Sequence, residues 1–339
     1  MENRVDYHEM VDVFVSILEK KGFSKETAQI SGELFAQNSL DGVYTHGVNR
    51  FPRVIDYIEK GYIDPNAMPK IKNKIGSLEQ WDGSLAMGNS NAKLAMDRAI
   101  DISEENGVGI VAMSNTNHWM RGGAYGWQAA DRGKIGICWT NTMPNMPAWG
   151  TIGNNIGNNP FILSVPRENG KHIVIDCAMA QFSYGKLEEY RLNDKELPIY
   201  GGYNSDLELT KNPGEIEESK LVLPIGFWKG SGLSIVLDLI AAILSNGNSV
   251  TDIGEKCEDE YGLSQIFIAI DPNKVIGNEG KERIIDNVLK SINDSEQFNK
   301  GVKAFYPGEL EYSIRQENLK NGIPVVPEIW SRIKEELNK

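Results

Sequence analysis

The sequence predicts an α/β (α+β) protein in which a mixed β-sheet domain is joined to a small helical domain. Three observations carry this. Apolar residues recur at helical spacing through residues 5–21 and again through 25–40. Past residue 76, short apolar and β-branched runs alternate with helical stretches, the texture of a layered sheet protein. Within that part, Glu168-Asn169-Gly170-Lys171 separates two strand-like runs, and an Asn-Gly pair is a strong hairpin signal, so at least one pair of strands is antiparallel and the sheet is mixed. The expected division is residues 1–75 with about 295–339 as the helical domain, and 76–294 as the sheet domain.

In chain order, the first two helices are separated by Gly22-Phe23 and a capping Ser24. Tyr44-Thr45-His46-Gly47-Val48-Asn49-Arg50-Phe51-Pro52-Arg53 follows. Pro52 has no N–H and belongs in a first helical turn, so a third helix should begin there, bury Val54, Ile55 and Ile58, and stop at Gly61. Residues 63–69, with two prolines, read as an extended connector. Then come a helix over 91–105, a buried strand over 107–113, a loop over 117–123, a helix over 124–132 and a strand over 135–140. A Pro/Gly/Asn-rich loop over 141–159 leads to strands over 161–165 and 173–176. Residues 194–218 are polar, with the composition of a surface excursion. An apolar helix over 233–244, a strand over 264–270, a helix over 281–293, a last strand near 302–305 and two polar helices complete the chain.

Composition narrows the function. Lys+Arg total 35 against Asp+Glu 47, a net charge of -12. Such a surface repels phosphate backbones, which argues against nucleic acid as a partner. Any anion site must be a local cluster of Arg and Lys. Cys138, Cys177 and Cys257 are far apart and odd in number, which fits a reducing compartment and neither a disulfide framework nor a Cys-based zinc site. Residues 1–6 hold no apolar signal core. The most apolar run, 234–244, is broken by Asp238 and is shorter than the roughly 20 residues a membrane span needs. The expectation is a cytoplasmic protein without a membrane partner.

The familiar nucleotide motifs are missing. Gly107/Gly109 and Gly230/Gly232 lack the third glycine of a Rossmann fingerprint, and there is no P-loop. His8, His46, His118 and His172 are too far apart in the chain for a local metal cluster, so no metal is expected. What remains are the His46 segment and three glycine-flanked stretches. An imidazole can pass a proton near neutral pH and a guanidinium can grip a carboxylate in parallel hydrogen bonds, so His46 and Arg50 together suit reduction of a small keto acid. A cap or surface histidine is the plainer alternative. Asn117-His118-Trp119-Met120-Arg121-Gly122-Gly123 offers an imidazole, an indole and a guanidinium before two glycines, which let a ligand approach the backbone. Trp228-Lys229-Gly230-Ser231-Gly232 enters a helix as an anion cradle. Asp176-Cys177-Ala178 leaves a strand with small side chains over which a nucleotide could lie. Glycine-rich turns after strands are common whatever the function, so each of the three also reads as ordinary structure. Trp139, Met143, Met146 and Trp149 either line a pocket or pack under the long loop.

These residues, with Gly136-Ile137-Cys138-Trp139-Thr140-Asn141 and Ile156-Gly157-Asn158-Asn159-Pro160, resemble the malate/L-lactate dehydrogenase family, which lacks a Rossmann fold. The likeness runs from about residue 10 to about 335, with motif order and spacing kept. It implies a dinucleotide-binding mixed-sheet domain of non-Rossmann type. It also implies NADH-dependent reduction, NADPH being possible, of the 2-keto group of a 2,3-diketo acid or related 2-keto acid, in a cytoplasmic homodimer. By resemblance, His46 is the proton donor, Arg50 the cation for the substrate carboxylate, and His118 a second active-site imidazole. The resemblance places the cofactor on His172, Ile173, Val174, Ile175, Asp176, Cys177 and Ala178, on Trp228 and Lys229, and on Gly308, Glu309 and Leu310. Sibling specificities for malate, lactate, ureidoglycolate or sulfolactate, or a non-catalytic sugar-acid sensor, are the competing readings. On the preferred one His46 acts as imidazolium, with a reference pKa of about 6.5.

Overall fold

The computed structural model describes residues 3–296 and 303–339. In chain order the elements are β1 (Asn3–Val5), α1 (Tyr7–Lys20), α2 (Lys25–Leu40), α3 (Phe51–Glu59), β2 (Lys70–Ile75), β3 (Leu78–Asp82), α4 (Gly88–Asn106), β4 (Val108–Asn117), α5 (Gly123–Asp131), β5 (Ile135–Thr140), β6 (Phe161–Val165) and β7 (Ile173–Cys177). There follow α6 (Tyr184–Leu192), β8 (Gly202–Tyr203), β9 (Leu209–Thr210), α7 (Pro213–Ser219), α8 (Trp228–Ser245), α9 (Val250–Lys256), β10 (Tyr261–Ile270), α10 (Asn278–Asn293), α11 (Glu309–Asn321), β11 (Ile323–Val325) and α12 (Pro327–Glu335).

Seven strands form one sheet in the order β2-β3-β4-β10-β5-β6-β7. Only β3 and β4 run parallel, and every other neighbouring pair is antiparallel, so the sheet is mixed as expected. Successive side chains point to opposite faces. In β10, Phe267 and Ala269 join the apolar layer under α4 and α5, while Ile266 joins the layer under α8. The β6–β7 hairpin turns through Asn169 and Gly170, both at positive φ, which is what an Asn-Gly pair supplies. A separate core gathers both ends of the chain. Phe14 stacks on Phe51 at 4.3 Å, with Phe35 and Trp330 edge-on, and β1 pairs with β11.

The structure departs from the sequence reading in several places. Residues 70–75, expected with the helical part, form β2 at the edge of the sheet. The alternating Lys and Ile of that strand leave every residue exposed, and lysine-rich edges resist stray strand pairing. The polar stretch 194–218 is not shapeless, because α6, α7 and the β8–β9 ribbon pack around Leu187, Leu197, Ile216 and Val222. Lys303–Phe305 forms no strand, and Val302 lies outside the described residues. The apolar helix begins at Trp228, five residues earlier than its hydropathy indicates. Its 18 residues are apolar and long enough to cross a membrane. However, Gly230, Ser231, Ser234, Leu237, Ala241 and Ser245 make a buried stripe on the sheet, and Asp238 accepts hydrogen bonds from Asn141 and Val250.

One buried ion cluster joins the helical core to the sheet. Asp41, at the end of α2, is 2% exposed and pairs with Arg121, 4% exposed, which lies just before α5. Arg315 of α11 donates to the same carboxylate from Nε and Nη2 at 2.6 and 2.9 Å, and its guanidinium lies 4.5 Å above the Trp127 ring. Removing one partner leaves an unpaired buried charge, so Asp41→Ala is expected to cost about 3–5 kcal/mol. Urea unfolding would read this as a lower midpoint, and a loss under ~1 kcal/mol would show that the cluster does not hold the two parts together.

Candidate active site

His46 ends a short 3-10 turn, Tyr44–His46, and Arg50 is the N-cap of α3. Packing fixes the turn. Asn38 donates to the His46 carbonyl at 3.0 Å, and Val48 N–H donates to Ser39 Oγ at 2.8 Å. A Cβ on Gly47 would lie 2.2 Å from Ser39 Oγ, so only glycine lets α2 approach this closely. His118 arrives from the end of β4, and its ring lies nearly parallel to that of His46, at 22° with centroids 5.9 Å apart. The structure thus brings His118, distant in the chain, beside the His46 ring.

The two rings differ in their bonding. Met120 N–H donates to His118 Nδ1 at 2.9 Å, so that nitrogen is an acceptor and the neutral ring carries its proton on Nε2. Met120 takes a positive φ of 67° to make this bond. His46 Nδ1 lies 3.0 Å from Thr45 Oγ1, a hydroxyl that can donate to the neutral ring or accept from the charged one. Burial, then Arg50, then Arg121 lower the His46 pKa from its ordinary value to about 4. Burial, with Arg50 and His46 next, holds His118 well below its ordinary value too. Both rings are thus held toward the neutral form, below the reference value of about 6.5.

Arg50 and Arg53 leave α3 toward the start of β10 and are treated differently there. Arg53 Nη2 reaches Asp259 at 3.0 Å and Tyr57 Oη at 2.8 Å, and Tyr57 also donates to Asp259. Arg50 meets one carboxylate, Glu260, at 3.7 Å, an ion pair too long to be a hydrogen bond. Its remaining N–H donors make it the cation available to an incoming anion. Sequence reasoning missed Thr45, Asp259 and Glu260. The signal was the acidic run Glu258-Asp259-Glu260 directly before a strand. It also missed α6, whose first turn passes so close that a Cβ on Gly185 would lie 3.3 Å from Thr45 Cγ2.

Other sequence candidates fare unevenly. Trp119 is 1% exposed and Arg121 is spent on Asp41, so of the 117–123 loop only His118 faces the site. Gly122 and Gly123 serve packing, since a Cβ there would meet Ile162 at 2.4 Å and Asp176 at 2.9 Å. The anion cradle at Trp228–Gly232 is not one. Those residues are the first turn of α8, and the N–H groups of Lys229, Gly230 and Ser231 already donate to Gly226, Ile225 and Phe227. Trp139 and Met146 are buried in the α8-side core, while Trp149 is exposed and packs edge-on against Phe227. Among the described residues no three His, Cys, Asp or Glu side chains gather as a metal site.

β7 ends the sheet and is the element that fits a dinucleotide. Val174 N–H is taken by Pro307 O at 2.9 Å, and Gly308, at φ 93°, sits where a Cβ would crowd His172 O and Val174 N at 3.1 Å. Beyond that point Ile175 and Asp176 are exposed, which leaves an open backbone edge. The Met179–Ile225 bond brings the start of α8, with its exposed Trp228, to that end of the strand. Gly123 N–H donates to Asp176 Oδ2 at 2.7 Å and ties the same end to the segment carrying His118. Open peptide groups beside exposed apolar side chains suit flat rings and a polar linker. Ile175, Asp176, Cys177, Ala178, Trp228, Gly308 and Leu310 are placed for such contacts. The His172 ring is not, because it is 5% exposed and bonds to Arg167 N–H and Asp131. Glu309 lies next to Gly308 and pairs with Lys303, while Lys229 is exposed beside Trp228.

The family model described as malate/L-lactate dehydrogenase matches residues 5–334. The chain is similar to a 2,3-diketo-L-gulonate reductase of Citrobacter koseri, at 45% identity over 98% of this chain and 99% of the relative. Among solved structures, sulfolactate dehydrogenase from Methanocaldococcus jannaschii superposes with a TM-score of 0.89 at 28% identity, covering 99% of this chain and 97% of that one. Malate dehydrogenase from Entamoeba histolytica superposes with a TM-score of 0.93 at 25% identity, covering 100% and 99%. A mixed sheet without a Rossmann fingerprint, paired imidazoles beside an under-used arginine, and a match spanning nearly the whole chain lead to one conclusion: the chain belongs to the malate/L-lactate dehydrogenase family of oxidoreductases.

Proposed function

We propose that this protein reduces the 2-keto group of 2,3-diketo-L-gulonate, or of a closely similar 2-keto sugar acid, to the 2-hydroxy acid, with NADH as cofactor, in a cytoplasmic homodimer. The observation that carries the reading is the pair of near-parallel imidazoles beside Arg50, a cation whose own counter-ion stands 3.7 Å away. The substrate named for the reductase relative is the reason to choose a sugar acid over malate or sulfolactate. When bound, NADH supplies the hydride that goes to C2.

The residues of this chain supply placement and a proton. Arg50 holds the carboxylate through charge-assisted hydrogen bonds worth roughly 1.5–3 kcal/mol. His118, neutral and fixed by Met120 N–H, donates from Nε2 to the substrate oxygen. Charging that ring would break the Met120 bond, so His46 is the proton donor, and Thr45 follows it between its two states.

The apolar face of α8 is the surface assigned to the homodimer. Leu233, Val236, Leu239, Ile240 and Ile243 are exposed along it, and the carboxylate of Asp238 is turned inward. On a protein of net charge -12, an uncharged stripe is where two copies meet with least repulsion. Leu239→Arg is expected to convert the dimer to monomer in light scattering, and a monomeric parent would overturn the assignment.

A panel of 2-keto and 2,3-diketo acids assayed with NADH and with NADPH tests the reaction itself. Unchanged nicotinamide absorbance with every acid would overturn it. His46→Asn is expected to lower kcat by ~10²–10⁴-fold. Arg50→Ala should lower kcat/KM by roughly 10- to 150-fold, with most of the change in KM. The charged form of His46 lies on the acid side of its pKa, so at saturating substrate kcat for reduction should fall as pH rises, and His46→Asn should flatten the profile. A flat parent profile from about pH 5 to about pH 9 would remove His46 from the role.

A further inference from the structure

Glu260 stands at the head of β10 with 8% of its surface exposed, and the proposed reduction assigns it no part. Its charged neighbours are Arg50 and Arg53 from the start of α3 and Asp259 beside it in the chain, and the Met143 N–H of the 141–159 loop bonds to its carboxylate. Tyr57 faces Asp259 from α3, and the Arg50 charge also acts on the His46 and His118 rings. Asp259 is held by three hydrogen bonds to Oδ1, from Arg53, from the Tyr57 hydroxyl and from the Glu260 N–H at 2.9 Å. Glu260 has the Met143 N–H and, as its one ion pair, the long contact to Arg50. The two arginines and two carboxylates of this cluster sum to zero charge. A substrate carboxylate arriving on Arg50 makes the sum -1 in a partly buried site.

We propose that Glu260 is the resident counter-ion of Arg50 and yields the guanidinium to the substrate by taking a proton from solvent, so that carboxylate binding is coupled to protonation of Glu260. The chemistry is a protonation alone, COO⁻ to COOH, with no bond to the substrate. Burial already raises the Glu260 carboxyl above its ordinary range, whereas Asp259 is lowered by its hydrogen bonds, so Glu260 is the member of the pair that accepts the proton. Protonated, it keeps the Met143 N–H as a donor to its carbonyl oxygen and ceases to compete for Arg50. It acts as a positioning residue that makes substrate affinity weaken with rising pH.

The inference rests on Arg50 binding a carboxylate, and the test separates the two. L-gulonate, a six-carbon acid with no keto group to reduce, is titrated calorimetrically into the enzyme with NADH in buffers of different ionisation enthalpy. The His46→Asn background removes that ring's titration. Uptake of about one proton per site is expected above the free carboxyl's pKa, with Kd rising about tenfold per pH unit. Adding Glu260→Gln, which keeps the shape of the side chain, should abolish both the uptake and the pH dependence while binding persists. Binding without proton uptake, or equal uptake with and without Glu260→Gln, overturns the proposal. Binding unaffected by Arg50→Ala, or no binding at all, overturns the reading of Arg50 and the inference with it.

Discussion

The structure depends first on a single buried carboxylate. Asp41 closes α2, and two guanidiniums converge on it, Arg121 from the segment that follows His118 and Arg315 from α11. A lone carboxylate so deeply buried would bear a desolvation penalty of several kcal/mol, and only close, hydrogen-bonded cations offset it. The three residues thus have one low-energy arrangement. In that arrangement the segment carrying His118 is held against the helix that supports the His46 turn. The same ion cluster thereby helps set the spacing of the two rings proposed for catalysis.

The second constraint is topological. β10 lies between β4 and β5 and is antiparallel to both, so parallel pairing is confined to β3 and β4, and the turn that opens there onto α4 is closed by packing, Gly83 against Thr116 and Gly88 against Asn117 and His118. Helix N-termini are accordingly poor phosphate sites here. The start of α8 has its amides occupied by Ile225, Gly226 and Phe227. What the fold leaves open is the outer edge of β7, flanked by exposed side chains rather than by a helix dipole. An empty search for Rossmann and P-loop motifs and an open sheet edge are two views of the same connectivity.

Features set by short-range chemistry were legible in the sequence. Ser24 caps α2, Pro52 opens α3, Asn169-Gly170 turns the β6–β7 hairpin, and β5 and β6 begin and end where their apolar runs do. What could not be read depends on neighbours distant in the chain. Gly122 looks like backbone open to a ligand until Ile162 is seen 2.4 Å from where its Cβ would be, and Gly230 looks like part of an anion cradle until Ile225 is seen crowding it in the same way. Arg121 looks like a ligand-binding cation until Asp41, 80 residues earlier, neutralises it. The His46 segment was readable because its donor, its cation and its helix start lie within ten residues of one another. The acidic partners at 259 and 260 were not, since nothing local distinguishes them from a solvated acidic run.

Electrostatics makes the site more than an assembly of suitable side chains. Arg50 and Arg121 act on His46 together with burial, and the empty site consequently disfavours the proton that reduction needs. Raising the overall acidity of the protein would not help, because its -12 charge is spread over a screened surface, while the relevant field comes from two guanidiniums at close range. On the proposed assignment a substrate anion replaces Glu260 as the counter-ion of Arg50. A keto acid brings such an anion with it and a neutral ketone does not, so the guanidinium proposed to bind the acid would also select for it.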